Sequence, residues 1–226
     1  HHSNYSEIDS LFSDKQFDGI LLDLGTCSTH LDDPNRGFSF QTNGRLDMRM
    51  DTSKGFSASE WLNRASEIEI SNILYKYGEE KASKKIATAI INSREIKPIE
   101  TSIELSNIIQ SVIQKTTKTH PATKSFQAIR IHVNSELDHL KIALSKLEQF
   151  LKIGGMVVII SFHSLEDRIV KNFFKPEIHS FPKDIPINPS LKETYRCIKK
   201  KVRPSIEEIK TNPRSRSAVM RVFSKL

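Results

Sequence analysis

Asp23 interrupts an apolar run in "FDGILLDLGTCSTHLDDPNRGFSF", residues 17 to 40. Ile20, Leu21, Leu22 and Leu24 ask for a core, and the small residues Gly25-Thr26-Cys27-Ser28 follow at once. A carboxylate at the tip of a strand either receives the donors of a ligand that arrives over those small residues, or it caps the following turn. A second cluster, "SFHSLED" at 161 to 167, places His163, Ser164, Glu166 and Asp167 after another apolar run. A serine beside a histidine suggests a nucleophile and its base, but sequence neighbours rarely face each other. The better expectation is that Ser164 caps a helix while His163 faces a cleft. Arg36, Arg45 and Arg49, then Lys199 to Lys201 with Arg203, then Arg214 and Arg216, form cationic clusters. They suit contact with a nucleic-acid backbone, or they are solvated charge.

These groups need elements to position them. Phe17 to Leu24 reads as a fully buried strand of a parallel sheet covered on both faces. Residues 32 to 55 are too irregular for regular structure. Ser57 with Glu60 forms a capping box, opening a helix with Trp61, Leu62 and Ala65 inward. Further helices are expected over Asn72–Gly78, Glu80–Asn92 and Ser102–Gln114. A long one follows over about Ser125 to Leu151, with Leu137, Leu140, Leu144, Leu147 and Leu151 on one face. Lys152 and Gly154-Gly155 are expected to end it. Met156 to Phe162 is a second buried strand, and a helix through Ile169, Val170 and Phe174 follows. Lys175 to Pro213 reads as mostly loop, and Ser217 to Phe223 as a final strand. The order fits an open α/β sheet with an inserted helical domain. Asp23 and "SFHS" then share the rim at the carboxyl ends of the strands, where such sheets bind ligands.

At 226 residues, 37% hydrophobic and 27% charged, the chain has the composition of an ordinary soluble protein. It contains no run of the ~20 apolar residues that a membrane span needs, and no signal peptide at its head. Two cysteines, Cys27 and Cys197, build no disulfide framework, and no Cys/His cluster has zinc spacing. A reducing cytoplasm is the expected location. The net charge of +7 favours a polyanionic partner.

Six collinear blocks carry a resemblance: the opening stretch, "GRLDMRMD", "YGEEKASKKIATAI", "HPATKSFQAIRIHVNSEL", "GGMVVIISFHSLEDRIVKNFF" and "NPRSRSAVMRV". Together they resemble the bacterial RsmH (MraW) family, S-adenosylmethionine-dependent methyltransferases of a cytidine N4 in small-subunit ribosomal RNA. The resemblance implies a Rossmann-like class I methyltransferase core, split as residues 1–31 and 119–226, around an inserted helical, substrate-recognising domain at 32–118. It implies S-adenosylmethionine as cofactor and 16S rRNA in the small ribosomal subunit as partner, with a decoding-centre cytidine as target; no residue is assigned as a metal ligand.

By the same resemblance, Asp23 matches the aspartate ending the fourth strand and is the candidate catalytic group. Tyr5 takes the place of an aromatic cofactor contact, and His30 stands where the family usually has glutamine. Arg36, Arg49, His120, Lys124, Gln127, Arg130, Asn134, His163, Arg214 and Arg216 are the candidate RNA contacts. Cys27 matches a small residue, usually serine, and lacks the preceding proline expected of a cytosine-C5 nucleophile. The family also carries a first strand, a glycine-rich cofactor loop and a second strand ahead of "HHSNYSE", so the chain is expected to correspond to the last three-quarters of the family's protein. The competing class is a non-catalytic RNA-binding remnant without a complete cofactor site.

Overall fold

A computed structural model describes residues 1–13, 15–113, 120–175 and 194–226. They form two compact units, one of residues 1–25 with 137–226, the other of residues 26–136. In chain order the elements are α1 (Ile8–Leu11), β1 (Phe17–Asp23), α2 (Ser28–Asp32), α3 (Ala58–Arg64), α4 (Glu67–Gly78), α5 (Ser83–Ile96) and α6 (Ser102–Val112). Then come α7 (Thr123–Val133), α8 (Glu136–Phe150), β2 (Leu151–Ser161), α9 (Ser164–Phe173), β3 (Tyr195–Val202), α10 (Ile206–Thr211) and β4 (Val219–Lys225).

The first unit holds a four-stranded sheet in the order β1-β2-β4-β3. β1 and β2 run parallel, with Asp23 opposite Ile160, while β4 is antiparallel to both β2 and β3. Leu140, Leu144 and Leu147 of α8 bury their face against Leu151, Val157, Ile159, Val170 and Phe223. Phe174 stacks on Phe223 with centroids 3.8 Å apart, fixing the end of α9 over the sheet.

β1 is not buried on both faces. It has one strand neighbour among the described residues, and its side chains alternate: Ile20 and Leu22 pack on the core while Leu21 is 63% exposed. Gly154-Gly155 does not end the long helix either. The helix stops at Phe150, and β2 runs through both glycines, which sit in a bulge between the Phe17–Leu151 and Gly19–Met156 pairs. Gly154 takes φ +76, and a Cβ on Gly155 would lie 2.8 Å from the Lys152 carbonyl oxygen, so the bulge requires glycine there. The stretch expected to be loop contains β3 and α10; residues 176–193 lie outside the described set. β3 escapes a hydrophobicity argument because seven of its eight residues are exposed, and main-chain pairing to β4 defines it.

In the second unit α4, α5, α6 and α7 enclose Leu62, Ile70, Leu74, Ile86, Ile90, Leu105, Ile109 and Ile129, all fully buried. Ser57 and Glu60 make the expected capping box, and Thr101 with Glu104 makes another at α6. The long helix expected from Ser125 is broken into α7 and α8 at Asn134-Ser135, where Ser135 takes φ +49. Phe126, Ala128 and Ile129 put α7 in this unit's core, although the sequence expectation grouped it with the sheet.

Candidate functional site

At the carboxyl end of β1 the ladder closes with the Leu24 N–H donating to the Ile160 carbonyl at 3.0 Å. This leaves Asp23 as the last strand residue, its carboxylate exposed and without a hydrogen bond among the described residues. Gly25 follows at φ +88, a conformation that side chains resist, and it turns the chain away from the strand end. The Phe162 ring lies 3.7 Å from where a Gly25 Cβ would stand. One residue beyond Ile160, the Ser161 hydroxyl is buried and has no hydrogen-bond partner among the described residues. Tyr5 opens a short 3₁₀ turn after Asn4, whose side chain accepts from the Ser6 N–H, and its ring is 39% exposed.

The other rim segment differs from expectation in one respect: His163, not Ser164, is the N-cap of α9. Its Nδ1 accepts from the Glu166 N–H at 3.4 Å, while Glu166 Oε2 accepts from the N–H groups of Phe162 and His163 at 2.8 and 3.3 Å. His163 Nε2 stands 3.3 Å from the other Glu166 oxygen. The imidazole is therefore tied to its own helix. Asp167 is held by Arg221 of β4 in a two-point ion pair at 2.7 and 2.9 Å, and Arg221 also donates to the Lys200 carbonyl. The Arg221 guanidinium keeps the Asp167 carboxyl below the usual carboxylate range. Nothing in the sequence reading found this pair; an arginine inside the apolar alternation "AVMRVF" was the available signal.

The second unit collects most of the candidate RNA contacts, and it uses many of their polar atoms internally. Arg49 makes a two-point ion pair with Asp47 at 2.8 Å for both contacts. Burial would raise the Asp47 carboxyl, but the Arg49 hydrogen bonds outweigh it and hold the group low. Arg36 donates to the carbonyls of Arg49 and Met50 at 2.6 and 3.0 Å. Asn134 bonds Met48, Met50 and Arg130 main-chain groups, and Arg130 grips Glu136 at 2.8 and 2.9 Å. Lys124 reaches the Glu79 carbonyl and Gln127 the Tyr77 carbonyl, at 3.2 and 3.3 Å. Arg214 and Arg216, on the 3₁₀ turn Pro213–Ser217 of the first unit, are exposed.

Two of these residues, Gln127 and Arg130, form the polar side of a hollow of about 170 Å³ walled by Phe38, Phe40, Met48 and Phe126. His30 stacks on Phe38 at 5.1 Å and His120 on Phe40 at 4.4 Å. His30 Nδ1 is buried without a partner among the described residues, and burial, helped by Arg36, pushes its imidazole pKa down. A neutral ring there keeps an unmet hydrogen-bonding nitrogen. The alternating aromatics of "GFSF" were the sequence signal for this wall. Cys27 is exposed at the start of α2, and the Thr29 hydroxyl 2.9 Å from its sulfur lowers its thiol pKa.

A sheet with a parallel β1–β2 pair, an exposed acid at its carboxyl rim and a helical unit inserted between those strands is a Rossmann-like methyltransferase core. The chain belongs to the MraW methylase family, whose family model matches residues 1–226. It is 45% identical over 239 residues to the ribosomal RNA small subunit methyltransferase H of Nitrosomonas eutropha, covering all of this chain and 75% of that protein. The proteins of the same name from Ehrlichia canis and Caldicellulosiruptor saccharolyticus are 51% and 48% identical. The first covers 94% of this chain and 71% of its own length; the second covers all of this chain and 76% of its own length.

A methyltransferase of this family implies S-adenosylmethionine. The residues present fit part of it: Asp23 offers an unpartnered carboxylate to a cationic ligand, Ser161 a buried hydroxyl, and Gly25 a stretch of chain without a side chain. No helix among the described residues is long and apolar enough to cross a membrane.

Proposed function

We propose that this chain methylates the N4 amino group of a cytidine in small-subunit ribosomal RNA, at the decoding centre, with S-adenosylmethionine as donor. The observation that carries the reading is the exposed, unpartnered Asp23 carboxylate at the carboxyl end of a parallel strand, directly before a glycine at φ +88. The names of the relatives supply the substrate class. Tyr5, Asp23 and His30 are the residues that would hold the cofactor, and residues 32–118 would recognise the RNA in the cytoplasm.

When bound, S-adenosylmethionine supplies a methyl group on a sulfonium. The chain's own part is positioning more than acid–base work. Cytosine N4 is a weak nucleophile because its lone pair is delocalised into the ring. Asp23 accepts a hydrogen bond from N4–H, which localises that lone pair, and then takes the proton that nitrogen releases after transfer. Gly25 keeps side-chain bulk out of the approach. The aromatic hollow of the helical unit has the walls and polar edge that suit a stacked base.

The test is methyl transfer to isolated small subunits by Asp23→Ala, alongside calorimetry with S-adenosylmethionine. Transfer should fall by about 100-fold or more, with the melting transition unchanged because Asp23 is exposed. Undiminished transfer removes Asp23 from the mechanism. A wild-type chain that binds rRNA but neither binds cofactor nor transfers methyl would instead be an RNA-binding protein.

A further inference from the structure

At the corner between α4 and α5, Tyr75, Lys81, Lys84 and Lys85 border a hollow of about 530 Å³, with Ala82 and Ser83 at its base. The three lysines are exposed, and none of the ion pairs among the described residues involves them. Among the described residues, none of the neighbouring acids forms an ion pair with these lysines: Glu80 is buried and accepts the Ala82 N–H at 3.0 Å, exposed Glu67 accepts the Thr88 hydroxyl at 2.6 Å, and Glu79 is exposed. Ala82 gives α5 no side-chain cap, and the Lys84 and Lys85 N–H groups make no hydrogen bond among the described residues. The positive end of a 14-residue helix therefore opens into the ring of lysines. Tyr75 stands beside them 67% exposed, its ring available for stacking.

We propose that this corner docks the sugar–phosphate backbone of single-stranded RNA, with Tyr75 stacking on an unpaired base. The inference rests on the rRNA reading above and adds a contact surface to it. Phosphate oxygens match the lysine ammoniums and the uncapped N–H groups, and a phenol ring beside a cationic groove is the pairing used by proteins that hold single strands.

The experiment compares wild type, Lys81→Ala/Lys84→Ala/Lys85→Ala, Tyr75→Ala and a control, Lys141→Ala/Lys152→Ala/Lys171→Ala, which removes equal charge from the other unit. Affinity for a 16S rRNA transcript and for isolated small subunits is measured across a salt series, with circular-dichroism melts to verify folding. The corner triple variant should bind both RNAs about tenfold or more weakly, with the salt slope reduced by about 2. Tyr75→Ala should weaken binding with the slope unchanged. Equal losses from the control triple, or no loss from the corner triple, overturn the proposal while leaving the rRNA reading intact. A loss seen with small subunits but not with the transcript assigns the corner to a protein partner and also overturns it. Failure of wild type to bind either RNA removes the rRNA reading itself, and this proposal with it.

Discussion

Asn134 bridges the two sides of Arg49: its Nδ2 donates to the Met48 carbonyl at 2.7 Å, and its Oδ1 accepts from the Met50 N–H at 2.7 Å. Met48 between these supports takes φ +62 with its side chain buried, a conformation that costs a non-glycine residue about 1–2 kcal/mol. The amide supports the "GRLDMRMD" loop in that shape, together with Arg36 on the Arg49 and Met50 carbonyls and the Arg49–Asp47 pair. Asn134→Ala leaves a partly buried N–H and carbonyl unmet and should destabilise the fold by about 1–3 kcal/mol. Urea unfolding followed by tryptophan fluorescence measures it. A variant as stable as wild type would show that the loop holds itself.

Arg49 and Arg216 were both expected to touch RNA, and their surroundings separate them. Arg49→Ala strands the Asp47 carboxylate, whose side chain is 7% exposed, and should cost about 3–5 kcal/mol. Arg216→Ala sits on an exposed turn and should leave the melting temperature unchanged while weakening rRNA binding and its salt dependence. Thermal melts and a binding titration on both variants read the difference. The reverse pattern would return Arg49 to the interface.

Cys27→Ser should keep methyl transfer within a fewfold of wild type. The thiol bonds to its own turn through Thr29, and a serine hydroxyl can repeat that contact. Loss of transfer in Cys27→Ser, with a normal melt, would revive a covalent mechanism through the thiol.

Glu104 closes the capping box of α6 and also takes Lys97 Nζ at 2.7 Å. The Lys97 hydrogen bond, followed by the Glu100 N–H, pulls its carboxyl pKa down to about 2. A folded value below the usual 4.5 means its contribution is complete above that pH and is lost as the pH falls toward 2. Glu104→Gln should therefore be less stable at neutral pH and show a smaller further loss on acidification through that window. Urea midpoints at pH 7, 4 and 3 test it; parallel curves for the two proteins would refute it.

The positions legible in sequence were those set by local rules. Ser57 and Glu60 cap α3 because a serine and a glutamate three apart satisfy each other's backbone wherever the chain lies. Leu137, Leu140, Leu144 and Leu147 declared the buried face of α8 by spacing alone, whereas Leu151 continued that spacing but opens β2. What could not be read depended on distant partners. Asn134 breaks the long helix because its amide serves Met48 and Met50, more than eighty residues away in sequence. Gly154-Gly155 looked like a helix stop because a β-bulge and a helix end use the same left-handed glycine. His163 displaced Ser164 as cap because Glu166 returns its bond to the backbone of Phe162 and His163. In the site, Asp23 and His30 were visible as residue types out of place, whereas the hollow walled by Phe38, Phe40 and Phe126 required the fold to bring α7 beside the "GFSF" loop.

β4 lies between β2 and β3, so an interior position of the sheet is filled by residues 219–225. During synthesis the helical unit of residues 26–136 has all its core partners long before that strand emerges. At roughly 5–20 residues per second, β1 and β2 wait several seconds for the strand that completes their sheet. The order of assembly thus runs inside out: the insertion has its core first, and the two flanking segments of the chain join into one sheet only after it is made.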